Sequence, residues 1–316
     1  MIVIVTGAAG FIGSHLSERL LEKGHIVIGI DNFDPYYNSQ IKRNNIKLFE
    51  NNNKFFLYET SILNQENLHK IFLRHKPEKV VHLAAKVGVR PSLSDPTSYE
   101  EVNVKGTKNL LDVSVKFSIK NFVFASSSSV YGLNQVPFNE NETPNPISVY
   151  ASTKLKGELL CREYHNRFGL NITCLRFFTV YGPRGRPDMA IYKFTKLICK
   201  GNEIEIYGDG SSKRDYTYVE DIVSGIVSAL DRNIPFDIFN LGNSHTVELK
   251  YLISLIEKES NKKAKIRHMP EQEGDVPITY ADIRKSNKEL GYTPRTKIED
   301  GIKKFVKWFK EQNKDT

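Results

Sequence analysis

A chain of 316 residues, 40% hydrophobic and 26% charged, reads as an ordinary soluble globular protein of one large or two modest domains, and no stretch of it is long enough to span a membrane. Its three cysteines, Cys161, Cys174 and Cys199, form no Cys-x-x-Cys pair and have no histidine cluster nearby, which argues against a disulfide framework or a metal site and fits a reducing cytoplasm. The net charge of +8 raises nucleic acid as a partner, but Lys and Arg are scattered among Glu and Asp with no basic block, so none is expected.

Residues 2–5 form a short apolar run without a basic flank, followed directly by a glycine loop, and are read as a first strand and not a targeting segment. In Thr6-Gly7-Ala8-Ala9-Gly10-Phe11-Ile12-Gly13, the three glycines lie between a strand and a helix. There they let the backbone approach a pyrophosphate, whose charge the helix N-terminus favours; a plain strand-to-helix turn is the alternative. The second strand, 27–30, ends at Asp31, whose carboxylate can accept hydrogen bonds from an adenosine ribose and would repel a 2′-phosphate. Asn32, Phe33 and Asp34 add no positive charge, so NAD is expected in preference to NADP, with a solvated strand-end Asp as the bland reading.

Residues 54–58 and 79–83 follow as strands. His82-Leu83-Ala84-Ala85 closes the fourth with small residues over which a ligand can lie, and His82 is read as a packed structural histidine. Asn103, in a helical pattern, could fix backbone near the site. The fifth strand, 121–125, runs into Ser126, Ser127, Ser128 and Ser129, hydroxyls at the carboxyl edge of a sheet where open α/β folds bind ligands. Tyr150 and Lys154, at i and i+4, share one helix face, so the ammonium is expected near the phenol oxygen. A phenol acting as base at neutral pH needs its pKa lowered by roughly 3 units, or ~4 kcal/mol. With 171–177 as a sixth strand, the alternation implies a parallel α/β sheet with helices on both faces. The Pro- and Gly-bearing segment from Tyr181 to Pro187 marks a break to a smaller lobe. The expected domains are 1–179 and 180–316, interleaved because 236–240 reads as a strand returning to the first sheet.

Together with Gly88-Val89-Arg90, Val130-Tyr131-Gly132 after the serines, Tyr150-Ala151-Ser152-Thr153-Lys154, Arg214-Asp215-Tyr216 and Gly274-Asp275-Val276-Pro277, these motifs resemble, nearly end to end, the extended short-chain dehydrogenase/reductases that modify nucleotide sugars. The resemblance implies a Rossmann-like, doubly wound NAD domain, a smaller mixed α/β C-terminal domain gripping UDP or dTDP, and a homodimer whose four-helix contact would use roughly 99–117 and 149–168. It implies Ser127, Tyr150 and Lys154 as catalytic residues. Gly7, Gly10, Phe11, Ile12, Gly13, Asp31, Asn32, Ser61, Ile62, Leu83, Ala84, Ala85, Lys86, Asn103, Ala125, Phe177 and Val180 would line the NAD site with Tyr150 and Lys154. Gly88, Arg90, Ser127, Ser128, Thr179, Arg186, Met189, Ala190, Glu205, Tyr207, Arg214, Gln272 and Asp275 would line the UDP-sugar site, Arg214 meeting the diphosphate and Tyr207 flanking the uracil.

Dehydratases and decarboxylases of this family carry an acidic residue in the serine run, where this chain has Ser128 and Ser129; that favours oxidation followed by re-reduction, namely 4-epimerisation. UDP-glucose 4-epimerases usually have Asn where Thr179 follows Arg176-Phe177-Phe178, and often Arg where Gln272 stands. The stretches Phe177 to Pro183 and Gly185 to Ala190, with Asp31-Asn32-Phe33 and Tyr36-Tyr37, resemble the UDP-glucuronate 4-epimerases. The expectation is therefore NAD-dependent conversion of UDP-glucuronate to UDP-galacturonate, by oxidation at C4, rotation of the 4-keto sugar and re-reduction, serving polysaccharide synthesis. The alternatives are a UDP-glucose or UDP-N-acetylglucosamine 4-epimerase, a UDP-glucuronate decarboxylase and, from another class, a non-catalytic NAD-binding scaffold. Two positions depart from the family: Ser61-Ile62 replaces Asp-Ile near the adenine, and Lys86 stands where Gln is common.

Overall fold

The computed structural model describes residues 1–270 and 276–313; Gln272 and Asp275, expected at the substrate, lie outside the described residues. Runs rich in Val, Ile and Phe suit a pleated sheet buried on both faces. They form β1 (Ile2–Thr6), β2 (Ile26–Asp31), β3 (Phe55–Glu59), β4 (Lys79–His82), β5 (Asn121–Ser127) and β6 (Ile172–Phe177), each on an expected run. Beyond them come β7 (Thr179–Tyr181), β8 (Glu203–Tyr207), β9 (Lys213–Tyr218), β10 (Phe236–Leu241), β11 (Thr246–Glu248) and β12 (Lys265–Met269). The main sheet is parallel, in the order β10-β6-β5-β4-β1-β2-β3. Its order reverses between β1 and β4, which opens a crevice at the carboxyl ends of the strands.

The two-residue period of the strands sorts the core. Val3, Val5, Val81, Val123 and Leu175 pack on one face with the helices Phe11–Glu22 and Val219–Asp231. Ile4, Val80, Phe122, Phe124 and Cys174 face the helices Gln65–His75, Gly106–Lys116 and Val149–Phe168. In the smaller lobe β9 lies between β7 and β11, and β8 pairs with β12. Ile191, Phe194, Leu252, Ile256, Ile302 and Phe305 fill its core from the helices Ala190–Cys199, Leu249–Ser260 and Ile298–Gln312. β10 belongs to the main sheet, paired with β6 from Phe236 opposite Ile172 to Leu241 opposite Phe177.

Polar contacts hold the lobes together. His15 donates from Nε2 to the Pro183 carbonyl at 2.8 Å, and burial lowers its pKa to about 4, so it is neutral at physiological pH. The Arg184 guanidinium meets Glu18 at 2.7 Å. Fully buried Asp215 accepts from the amides of Asn243, Ser244 and Ala281 at 2.7, 3.0 and 3.1 Å and from the Thr217 hydroxyl at 3.2 Å, pinning β9 to the segment after β10.

Candidate active site

The glycine loop is built for close approach. Gly7 has φ +69°, and a Cβ there would stand 3.0 Å from the Ala84 amide nitrogen; at Gly13 it would stand 2.0 Å from the Gly7 carbonyl. The helix that follows starts at Phe11 with no side-chain cap at Gly10, so its first amides face the crevice mouth without a side-chain acceptor. Asp31 does more than expected. Its two oxygens accept from the amides of Ala9, at 3.0 Å, and Phe33, at 2.8 Å, so the carboxylate also holds the glycine loop to the end of β2. Asn32 is exposed and turns the chain by accepting from the Asp34 amide at 3.2 Å. Ser61 accepts from the Leu63 amide at 3.1 Å, a turn contact that a serine makes as an aspartate would, and Ile62 is buried.

At the tip of β4 a hydrogen-bond relay fixes the backbone. The Thr107 hydroxyl donates to the Asn103 carbonyl at 2.6 Å and so accepts from His82 Nε2; Thr6 accepts from the Leu83 and Ala84 amides and so donates to His82 Nδ1 at 2.8 Å. His82 is thus a neutral structural histidine, its pKa lowered to about 3 by burial and the charge of Lys154. Asn103, on a π-helical turn at Glu100–Lys105, accepts from the Lys86 amide at 2.8 Å and donates to the Lys86 carbonyl at 3.0 Å and the Thr153 hydroxyl at 3.0 Å. Ala85 follows half-buried, and the Lys86 ammonium reaches Asp34 at 3.2 Å, joining the loops after β2 and β4.

Ser148 caps the twenty-residue helix Val149–Phe168 by accepting from the Ala151 amide at 3.1 Å, and the Tyr150 amide donates to the Ser92 hydroxyl at 3.1 Å. Ser127, at the end of β5, donates to the Ser129 hydroxyl at 3.1 Å and hydrogen-bonds the Tyr150 phenol. Burial raises the phenol's pKa, opposed by that hydrogen bond and by the positive charge of Arg186. The expectation that Lys154 would sit against the phenol and lower its pKa needs correction. Its ammonium donates to the Ala125 carbonyl at 2.8 Å, over the Phe124 ring, because the long stem turns down onto β5. Burial lowers its pKa to about 8, opposed by the nearby Glu158 carboxylate.

Glu158, one further turn along, was missed in the sequence. It accepts from Arg176 Nε and Nη2 at 2.8 and 2.7 Å and from the Ser126 hydroxyl at 2.5 Å, a fully buried cluster beneath the serines; its signal was the i+4 step from Lys154.

Across the crevice a cavity of about 260 Å³ gathers Phe11, Thr179, Val180, Arg186, Met189, Ala190 and Arg214, all expected at the cofactor or substrate, with Tyr181 and Tyr216, which lay in the quoted motifs but not among the expected site residues, and Phe305, which the sequence had not indicated. Phe177 is buried at the end of β6, and Ser128 is half-buried beside Ser127. Met189 caps the Ala190–Cys199 helix without a side-chain hydrogen bond, so that helix also turns bare amides toward the cavity. Gly88, with φ +101°, leads into Arg90, whose guanidinium lies 4.7 Å above the Tyr207 ring and joins the two lobes there. Glu205, expected at the substrate, is paired with Arg267 across β8 and β12. Among the described residues no group of three or more His, Cys, Asp or Glu could hold a metal ion. A phenol and a serine hydroxyl in contact at the sheet edge, with the positive charge of Arg186 acting on the phenol, can exchange a proton with a substrate hydroxyl.

Residues 4–305 match the family model described as GDP-mannose 4,6 dehydratase. UDP-glucuronate 4-epimerase 4 of Arabidopsis thaliana is 44% identical, over 97% of this chain and 75% of that protein. The crystal structure of UDP-glucuronic acid 4-epimerase from Bacillus cereus, in complex with UDP-glucuronic acid and NAD, is similar with a TM-score of 0.94 at 38% identity, covering 99% of this chain and 100% of that one. UDP-glucose 4-epimerase of Thermotoga maritima with UDP-glucose gives 0.92 at 34%, covering 99% of each.

Proposed function

This chain belongs to the extended short-chain dehydrogenase/reductase family of nucleotide-sugar epimerases, and on that premise we propose that it is an NAD-dependent 4-epimerase interconverting UDP-glucuronate and UDP-galacturonate. The observation that carries the reading is the cavity in which Thr179 and Arg186 lie together, with the Arg186 charge also acting on the Tyr150 phenol.

The glycine loop, Asp31, Lys86 and Lys154 would hold NAD; Gly7 lies against the Ala84 backbone and Gly13 against the Gly7 carbonyl, a packing that a side chain at either position would break. Bound NAD supplies a hydride acceptor at C4 that later returns the hydride. Tyr150, as phenolate, takes the C4 hydroxyl proton while Ser127 orients it, and gives the proton back after the sugar has turned about its diphosphate link. The Ser127 hydrogen bond and the Arg186 charge favour the phenolate, Lys154 at the Ala125 carbonyl would hold the cofactor ribose, and Arg214 with the amides at Ala190 holds the diphosphate. In this reading residues 1–179 bind the cofactor and 180–316 the nucleotide, Tyr207 flanking the uracil.

The 4-keto form of glucuronate is a β-keto acid and loses carbon dioxide when the breaking C–C bond aligns with the carbonyl π system. Ser127, Ser128, Thr179 and Arg186 hold the carboxylate out of that alignment. Each charge-assisted hydrogen bond is worth about 1.5 to 3 kcal/mol, roughly ten- to a hundredfold in discrimination against a neutral CH2OH. A homodimer in a reducing cytoplasm completes the reading: Leu93, Leu159 and Phe168, on or beside the helices expected at the contact, expose 62, 56 and 49% of their surface, and the cysteines are free.

The test is an NMR time course of the protein with NAD, on UDP-glucuronate and on UDP-glucose. UDP-galacturonate from the first with little change in the second is the expected result. Turnover of UDP-glucose alone would overturn the role given to Thr179 and Arg186, and UDP-pentose as main product would make the enzyme a decarboxylase.

A further inference from the structure

Arg186 and Asp188 stand two residues apart on the loop that leads into the Ala190–Cys199 helix. Arg186 donates to Asp188 side-on, from Nε to Oδ1 at 3.0 Å and from Nη2 to Oδ2 at 2.5 Å. A guanidinium carries five N–H donors, so this contact uses one edge and leaves the Nη1 end, with the second Nη2 hydrogen, for another acceptor. The pair is braced from the other lobe. Tyr36, on the loop after β2, donates from its hydroxyl to Asp188 Oδ2 at 3.3 Å, and Arg186 lies 5.7 Å over its ring. Gly88 lies close beneath Tyr36: a Cβ there would come 3.2 Å from the Tyr36 hydroxyl. The ion pair from Lys86 to Asp34, at 3.2 Å, joins the same two loops.

We propose that Asp188 is a positioning residue for substrate choice: by holding the Nε edge of Arg186, with Tyr36 as its brace, it presents the Nη1 end to a substrate carboxylate in one orientation. The inference deepens the UDP-glucuronate reading and rests on it. A guanidinium already fixed in this way loses little rotamer freedom when the carboxylate arrives, and the carboxylate it receives takes its plane from the guanidinium. Orientation matters here more than charge. In the 4-keto acid, C5–C6 cleavage releases carbon dioxide, leaves the electron pair at C5 as the C4–C5 enolate, and ends with a proton taken from water. A loosely held carboxylate samples the geometry for that loss.

The experiment compares wild type with Asp188→Asn, Arg186→Gln and Tyr36→Phe, following all products by NMR and measuring kcat and KM separately on UDP-glucuronate and UDP-glucose. For Asp188→Asn, kcat/KM on UDP-glucuronate is expected to fall about tenfold, the scale of one charge-assisted contact, with UDP-pentose appearing. Tyr36→Phe, which keeps the ion pair, should give a smaller fall with the same leak, and it carries the test if Asp188→Asn does not fold. Unchanged kcat/KM with no pentose would overturn the proposal. So would a lower KM on UDP-glucuronate, which would mean that Asp188 competes with the substrate for the guanidinium. If Arg186→Gln leaves the preference for UDP-glucuronate unchanged, it is the underlying carboxylate grip that fails.

Discussion

Ser127, Tyr150 and Lys154 stand on a strand buried along all seven residues and on a twenty-residue helix, whereas Thr179, Arg186 and Asp188 lie on a three-residue strand and the loop beyond it. The first group is fixed by distant parts of the chain: Glu158 with Arg176, Ser92 with the Tyr150 amide, Asn103 with Thr153 and Lys86. In the second, Arg186 is fixed chiefly by a residue two positions away. In the proposed reaction proton transfer at C4 is the same for any hexose, and the groups assigned to it are set into the core, where a shift would disturb the sheet. In the proposed reading, telling a carboxylate from a hydroxymethyl group falls to the half-buried Thr179 and Arg186 and the exposed Asp188, which can be exchanged with little cost to the fold.

Breaking the rigid side at its centre should have the largest effect. Tyr150→Phe is expected to lower turnover about 10³ to 10⁴-fold while UDP still binds by calorimetry, because the proton acceptor is lost and the nucleotide contacts are not. Weakening its foundation comes next. Glu158→Gln leaves Arg176 buried without its counter-charge and should cost about 3 to 5 kcal/mol in urea unfolding. The same change should alter the pH profile. Lys154 loses its proton as pH rises through about 8, so kcat/KM should fall on that limb; Glu158 helps to hold the ammonium charged, and its removal should move the limb to lower pH. The smallest effect is expected on the adaptable side. Thr179→Ala should reduce the preference for UDP-glucuronate over UDP-glucose by less than about tenfold, one hydrogen bond's worth, with some UDP-pentose and no change in unfolding midpoint.

Much of the rigid side was legible because it is written in short-range patterns. Apolar runs placed the strands, the i and i+4 spacing placed Tyr150 and Lys154 on one face, and glycines marked the turn after β1. What escaped depends on contacts between residues far apart in the chain. Glu158 reads as one more charged helix residue until Arg176 is seen 18 positions away, inside β6. Lys154 was expected at the phenol because spacing fixes a helix face but not where a four-carbon stem ends. The partner of Glu205 was hidden for a similar reason: strand order within the small lobe, invisible in sequence, sets Arg267 beside it.

The pairing of β10 with β6 has a mechanical consequence. The chain leaves the main sheet after Phe177, returns to it through the helix at Val219, leaves after Leu241, packs the Arg284–Leu290 helix back against β10, and departs once more before Ile298. Lobes joined by several crossings of the chain resist swinging more than lobes joined by a single linker. In the proposed reaction such a frame would leave reorientation to the sugar, turning between lobes that the chain stitches together instead of riding on a lobe that swings.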